Sequence, residues 1–356
     1  MEKYKNPQVK KISLFNKNPF KTYLHIFFMN FQDFYKGKRV LVTGADGFMG
    51  SHLTERLVSY GSDVIAFVRG SILTTPSKMQ LKNIGHIKDR IKIISGDIAS
   101  HDTVEMIKKE NPEIIFHLAA EAYVNKSFEQ PREVIDANVT GTLNVLHACL
   151  TENMKPVNWI RRIVVTSSSE IYGTYYEPIK ETFPMNPSSP YGASKAAADR
   201  LSYSYFNTYG LPIAIIRPFN TYGPRHTYDA PPKFISLALA EKDITIYGDG
   251  QQSRDLMYVD DTVDGFLIMG SNEKAIGKSV NFGTGVDTRI IDLAKKIIEI
   301  SGSSSKITHL PPRLSEVMRL CCDNSKAKDL FGWKPKVSID EGLRKNIEWA
   351  KNAENR

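Results

Sequence analysis

Tyr191 and Lys195 stand four residues apart in Tyr191-Gly192-Ala193-Ser194-Lys195. On a helix that spacing puts a phenol and an ammonium on one face. A phenol with the ordinary pKa of about 10 is a poor base at neutral pH, but a nearby positive charge favours its phenolate and makes it a proton acceptor. Upstream, Val164-Val165-Thr166-Ser167-Ser168-Ser169-Glu170 reads as an apolar strand that ends in three hydroxyls and a carboxylate. Side chains at the carboxyl end of a parallel strand project into the crevice where ligands bind. Ser168 and Ser169 there offer hydroxyls to a substrate, and Glu170 offers a general base. A plainer account stands beside each: tyrosine and lysine at this spacing recur by chance, and Glu170 suits a solvated loop equally well.

A second constellation lies near the start of the folded region. Gly44, Gly47 and Gly50 in Thr43-Gly44-Ala45-Asp46-Gly47-Phe48-Met49-Gly50 follow the strand-like Arg39–Thr43 and open a helical segment, 50–60. Glycines in that context allow a tight turn, close approach of the backbone to a pyrophosphate, and close packing of helix on strand. The helix N-terminus then presents free N–H groups to the phosphates. The turn is expected to hold a nicotinamide dinucleotide through Gly44, Asp46, Gly47, Phe48, Met49 and Gly50, and its oxidised ring would bring further positive charge to Tyr191. Where an acid would accept the adenosine ribose hydroxyls of NAD, at the end of the second strand, the chain has Val68-Arg69-Gly70-Ser71. Arg69 suits a ribose 2′-phosphate, so NADP is preferred and NAD stands second.

These groups need a scaffold, and the apolar pattern supplies one. Short β-rich runs at 39–43, 63–68, 91–95, 114–118, 163–166 and 213–216 alternate with helical stretches near 101–110, 131–154 and 191–209. Such alternation predicts an α/β fold with a Rossmann-type doubly wound parallel sheet covered on both faces. The regularity breaks after Pro218. Residues 37–218 are read as mainly a dinucleotide-binding domain, and 219–350 as mainly a smaller α/β substrate lobe interwoven with it.

The glycine turn, Ser168, Tyr191 and Lys195 together resemble an extended short-chain dehydrogenase/reductase of the nucleotide-sugar epimerase/dehydratase family. The resemblance runs from about Lys38 to Trp349. It is carried also by Gly96-Asp97-Ile98, His117-Leu118-Ala119-Ala120, Asn138-Val139-Thr140-Gly141-Thr142, Arg217–Arg225, Gly248-Asp249-Gly250, Arg254-Asp255 and Tyr258-Val259-Asp260-Asp261. It implies that Asp97 and Ile98 flank the adenine and that Leu118, Ala119 and Ala120 line the pyrophosphate. Tyr191 and Lys195 would then meet the nicotinamide end of the cofactor. Asn220, Arg225, Arg254, Arg313 and Glu316 would hold the nucleoside diphosphate of a sugar substrate, since arginine forks match phosphate oxygens. A glutamate at position 170 resembles the 4,6-dehydratases and the UDP-glucuronate decarboxylases more than plain 4-epimerases. The expected reaction is therefore 4,6-dehydration of a sugar nucleotide, with UDP-N-acetylglucosamine placed first. A 4-epimerase and a UDP-glucuronate decarboxylase are the alternatives, and a non-catalytic dinucleotide-binding scaffold is the alternative of another class. A homodimer built on the helices at 131–154 and 191–209 is also implied.

Composition narrows the rest. The 356 residues are 41% hydrophobic and 24% charged, with a formal net charge of +8. Much of that excess sits in residues 1–38, where eight lysines face only Glu2 and Asp33. Residues 1–36 are therefore read as a basic tail or upstream extension, and no nucleic-acid partner is expected. No apolar run reaches the roughly 18 residues of a membrane span, so a soluble, cytoplasmic enzyme without a membrane partner is expected. Cys149, Cys321 and Cys322 suggest neither a metal site nor a disulfide framework.

Overall fold

The computed structural model describes residues 31–70, 81–313 and 315–354. Its centre is a seven-stranded, wholly parallel sheet of β1 (Arg39–Thr43), β2 (Asp63–Arg69), β3 (Lys92–Gly96), β4 (Ile114–His117), β5 (Arg162–Thr166), β6 (Ile213–Pro218) and a strand from much later in the chain, Ser279–Phe282. The spatial order is Ser279–Phe282, β6, β5, β4, β1, β2, β3. Every residue of β4, β5 and β6 is buried, as expected for strands covered on both faces. The order in which strands are added reverses between β1 and β4, which makes the carboxyl ends of these two parallel strands the switch point where a crevice opens.

Helices α1 (Phe31–Tyr35), α2 (Phe48–Ser59), α3 (Asp102–Glu110), α4 (Val124–Glu129), α5 (Pro131–Ile135), α6 (Gly141–Ala148) and α7 (Pro190–Tyr209) accompany the first six strands. Beyond Pro218 come β7 (Asn220–Tyr222), α8 (Ala230–Leu239), β8 (Ile244–Tyr247), β9 (Ser253–Tyr258), α9 (Val259–Ser271), β10 (Ser279–Phe282), β11 (Asp287–Arg289), α10 (Ile290–Ser301), β12 (Ile307–Leu310), β13 (Arg319–Leu320), α11 (Ser325–Phe331) and α12 (Ile339–Glu354). β9 is flanked by β7, β11 and β13, and β8 pairs with β12. A division at 218 is therefore crossed twice: β10 completes the central sheet, and α9 packs on it through Phe266 against Phe116.

Two expectations change. The helix read over 131–154 is broken into α5, a π-turn at Asp136–Thr140, and α6, which stops at Ala148. Leu150 then bridges to Pro156 around a turn in which Met154 has φ 56°. Lys155 precedes a proline, a position that resists helix. The tail read as 1–36 also extends too far. Residues 1–30 lie outside the described residues, but Tyr35 is fully buried, donates from its hydroxyl to the Leu267 carbonyl at 2.7 Å, and packs on Phe116. Phe31, Gln32, Asp33, Phe34 and Tyr35 form a helix because three of the five are aromatic and have a core to enter. Replacing Tyr35 by Ala is expected to destabilise the protein by about 3–5 kcal/mol in urea unfolding, whereas Tyr35→Phe, which loses only the hydrogen bond, costs about 1 kcal/mol.

Candidate active site

At the switch point the ends of β1 and β4 are joined by a chain of hydrogen bonds. The Thr43 hydroxyl contacts His117 Nδ1 at 2.8 Å, and His117 Nε2 contacts the Thr142 hydroxyl at 3.0 Å. Thr142 spends its own proton on the Asn138 carbonyl at 2.6 Å. Nε2 must therefore be the protonated nitrogen, with Thr43 donating to Nδ1. Burial and the Lys195 charge push the His117 pKa down to about 3, so the imidazole is neutral at neutral pH. Thr43 Oγ1 also accepts from the backbone N–H groups of Leu118 and Ala119, both at 3.1 Å. The chain fixes the 117–120 turn beside the glycine loop.

The glycine loop has the shape that a diphosphate requires. Gly44 has φ +70°, and a Cβ there would lie 2.9 Å from the Ala119 nitrogen. A Cβ on Gly50 would overlap the Gly44 carbonyl, so only glycine lets α2 close down on the turn. Gly47 caps α2 without a side-chain hydrogen bond, which leaves the first N–H groups of the helix for an anion. These features fit a dinucleotide: the 44–50 loop and the 118–120 turn would hold its phosphates. The Asp46 carboxylate accepts from the backbone N–H groups of Lys82, Asn83 and Ile84, which ties the glycine turn to that segment. Asp97 is exposed and caps Ala99 at 3.0 Å, while Ile98 is buried beneath Gly141. Arg69 ends β2 with an exposed guanidinium 3.6 Å from Glu121.

In front of these ends lies a cavity of about 510 Å³ whose lining includes Phe48, Met49, Leu118, Ala120, Ser168, Ser169, Glu170, Tyr191, Lys195, Asn220, Arg254, Arg313 and Glu316. Tyr191 and Glu170 thus face one space. Local packing explains why. Ser168 caps a single turn, Ser169–Ile171, by accepting from the Glu170 N–H at 3.1 Å, and Ser189 caps α7 through Gly192 at 3.0 Å. A Cβ on Gly192 would lie 2.7 Å from the Glu170 carbonyl oxygen, so the glycine after Tyr191 lets the helix start against the glutamate's turn. Asn138 secures the same corner: it donates to Ser194 Oγ at 2.8 Å and accepts from the Glu121 N–H at 2.8 Å.

The electrostatics differ from the simple picture of lysine beside phenol. Lys195 donates to the Thr166 carbonyl at 2.6 Å. Burial, partly opposed by Asp199, pushes its pKa down to about 8. Tyr191 is raised by burial and by the charges of Glu170 and Asp229, against a lowering contribution from the Ser168 hydroxyl. In the protein alone the phenol keeps its proton at neutral pH. Burial likewise raises Glu170, Arg254 lowers it, and Asp229 and Glu316 raise it. At the far wall Arg254 is fixed by Glu316 at 2.9 Å and the Val317 carbonyl at 2.6 Å, and the Arg313 guanidinium lies 4.2 Å from the centre of the Tyr247 ring. Thr166 Oγ1, Ser167 Oγ and Asn220 Oδ1 are buried cavity-wall atoms with no hydrogen-bond partner among the described residues, capacity that a polar ligand would satisfy.

Arg225 is not on this wall. It bonds Glu55 of α2 at 2.7 Å, so the structure gives it a strap between α2 and the 223–226 turn. The sequence reading also missed wall residues: Tyr123, His226, Tyr228, Asp229, Lys233 and Tyr247. For His226 and Asp229 the signal was available in His226-Thr227-Tyr228-Asp229-Ala230-Pro231-Pro232, an acid just before a proline-led helix. Among the described residues no group of three His, Cys, Asp or Glu could hold a metal ion, and no helix is long and apolar enough to cross a membrane.

The family model described as GDP-mannose 4,6 dehydratase matches residues 41–346. The chain belongs to that family, within the extended short-chain dehydrogenase/reductases that rework nucleotide sugars. It is 34% identical to a UDP-glucose 4-epimerase of Mycolicibacterium smegmatis over 88% of this chain and 99% of the relative. It is 33% identical to the dTDP-D-glucose 4,6-dehydratase of Mus musculus over 88% of each. The structure of a UDP-glucuronic acid 4-epimerase from Bacillus cereus, in complex with UDP-glucuronic acid and NAD, superposes with a TM-score of 0.79 at 30% identity, over 88% of this chain and 99% of that one. The family spans dehydratases, epimerases and decarboxylases of nucleotide sugars.

Lys195 gives a stability signature. Unfolded, it releases its proton near 10.5; folded, near 8. The unfolded chain therefore holds the extra proton between these values, and folding becomes more favourable as pH rises from about 8 to about 10.5. Lys195→Met is expected to flatten that rise, read as melting temperature against pH. An unchanged slope in the variant means that another group carries it.

Proposed function

We propose that the chain is a nucleotide-sugar 4,6-dehydratase that works with a bound nicotinamide dinucleotide, and we place UDP-N-acetylglucosamine first among its substrates. The observation that carries this reading is that Glu170 and Tyr191 face one cavity, with Ser168 beside the phenol. An epimerase needs only the phenol at C4, whereas dehydration also needs a base for the C5 proton.

When bound, the oxidised nicotinamide would supply positive charge beside the phenol and reversible hydride transfer at sugar carbon. Tyr191 then gives up its proton more readily and, as phenolate, takes the proton of the C4 hydroxyl, with Ser168 holding the oxygens in line. A ketone at C4 acidifies the C5 proton, which Glu170 removes; its raised pKa keeps it a stronger base than an exposed carboxylate. Loss of the C6 hydroxyl with a proton as water leaves a C5–C6 double bond, and the hydride taken from C4 would return to C6 as a proton returns to C5, giving a 4-keto-6-deoxy sugar. Asn220, Arg254 and Arg313 supply one amide and two cations for the diphosphate, and Glu316 steadies Arg254. Arg69 is open to a ribose 2′-phosphate, which supports NADP over NAD, the dinucleotide in the Bacillus cereus complex.

A second reading, 4-epimerisation, is favoured by the buried Ser169, which puts no second carboxylate beside Glu170, and by the Mycolicibacterium smegmatis relative. Incubation with UDP-N-acetylglucosamine and with UDP-glucose, followed by mass spectrometry, separates the two. Dehydration gives a product lighter by one water, whereas an isomer of unchanged mass is epimerisation. Glu170→Gln is expected to lower dehydration by about 100-fold or more, with sugar-nucleotide affinity changed by less than about threefold. Undiminished turnover would remove Glu170 as the base.

For the cofactor, calorimetry is expected to show NADP binding about tenfold tighter than NAD, as one charge-assisted pair warrants, with Arg69→Ala abolishing the difference. Equal affinities in the parent protein would return the assignment to NAD.

A further inference from the structure

Glu170 and Tyr191 share their cavity with two further carboxylates, Asp229 and Glu316, and with four cations, Lys195, Lys233, Arg254 and Arg313. Asp229 lines the same cavity, with its side chain 49% exposed, and its charge raises both Glu170 and Tyr191. The carboxylate is held, not free to swing away: His226 Nε2 lies 3.1 Å from Asp229 Oδ2. The His226 ring is itself clamped, stacked parallel on Phe48 at 4.6 Å and edge-on to Tyr228 at 4.7 Å. Only 3% of the His226 side chain is exposed.

The cations near this cluster are each held by a neighbour, Arg313 by the face of the Tyr247 ring. Lys195 serves the Thr166 carbonyl, and Arg254 serves Glu316 and the Val317 and Ser253 carbonyls. Lys126 bridges Glu121 and Glu133, Arg69 leans on Glu121, and Lys233 lies over the Tyr123 ring. Among the described residues, the Arg254 charge lowers Glu170, set against Asp229 and Glu316, which raise it. If C5 lies beside Glu170, as the proposed reaction requires, C6 lies in the same cavity as Asp229, whose charge bears on Glu170. A hydroxymethyl group is welcome there as a hydrogen-bond donor. Glutamate at position 170 does not by itself exclude a C6 carboxylate, but the added charge of Asp229 opposes one.

We propose that Asp229, fixed by His226, is a specificity-determining residue that selects nucleotide sugars uncharged at C6 and rejects hexuronates. The inference rests on the nucleotide-sugar reading and deepens it, because family members act on both neutral sugars and uronates. It separates substrates, not reactions, and so holds for dehydratase and epimerase alike.

The test is equilibrium binding of UDP-glucose and UDP-glucuronate by calorimetry, with NAD present, on a Tyr191→Phe background that prevents turnover. The background protein is expected to bind UDP-glucuronate on the order of 100-fold more weakly than UDP-glucose. Adding Asp229→Asn is expected to close most of that gap by strengthening UDP-glucuronate alone, whereas Asp229→Glu, which keeps the charge, retains it. Melting curves confirm that each variant is folded. Similar affinity for both sugars before the Asp229 change overturns the proposal, as does a ratio that Asp229→Asn leaves untouched. If neither compound binds, the nucleotide-sugar reading fails first and takes this selection with it.

Discussion

Arg217 is nearly fully buried, and its guanidinium is gripped from three sides. Nε and Nη2 reach the two oxygens of Asp199 at 2.8 and 3.0 Å, and Nη1 donates to the Tyr172 hydroxyl at 2.7 Å. Tyr172 passes its proton to Asn281 at 2.8 Å, and Asn281 donates to the Ile179 carbonyl at 3.0 Å. Asp199 lies two turns beyond Tyr191 on α7, Tyr172 lies two residues beyond Glu170, Arg217 is in β6 and Asn281 is in β10. The bidentate ion pair ties the helix that carries Tyr191 and Lys195 to β6, and the hydrogen bond from Arg217 to Tyr172 extends the tie to the turn that carries Ser168 and Glu170. A forked pair fixes orientation as well as distance, and removing one partner from such a buried pair costs about 3–5 kcal/mol. The remaining features of the site assume this junction.

The consequence is a division of labour between charge and packing. Asp199 also raises the Lys195 pKa against the much larger lowering by burial. The lysine remains a hydrogen-bond donor to the strand end while the phenol rests protonated. On the proposed reading, the charge that would make the phenol a base is supplied in part by whatever cation enters the cavity, rather than stored wholly in the side chains. The wall follows the same logic. The two arginines sit on aromatic or carboxylate supports, and the wall at Ser168, Ser169 and Glu170 is hydroxylic and acidic.

Much of the scaffold was legible because parallel strands buried on both faces are nearly unbroken apolar runs, and because Gly44, Gly47 and Gly50 punctuate one of them. Tyr191, Lys195, Ser168 and Glu170 could be read as companions because the end of β5 and the start of α7 are positions defined by pattern. What escaped was set by tertiary contact. Phe31 to Tyr35 look like tail until there is a core for Tyr35 to fill. Arg225 sits in a telling phrase yet turns to Glu55, and Lys195 turns to a carbonyl. His226 and Asp229 belong to a connection without periodicity, where only the stacked Phe48 ring reveals that the histidine is a prop.

The seventh strand of the central sheet carries a further implication for how the molecule is made. Ser279–Phe282 lies beside β6, although residues 219–278 separate them in the chain. During synthesis, every strand of the nucleotide-binding half except this one leaves the ribosome early, with the β6 border open and its ladder groups unpaired, a template for wrong association. The enzyme's two halves are thus obliged to mature as a single folding event, and a gene fragment ending near Pro218 encodes an unfinished sheet rather than a separable module.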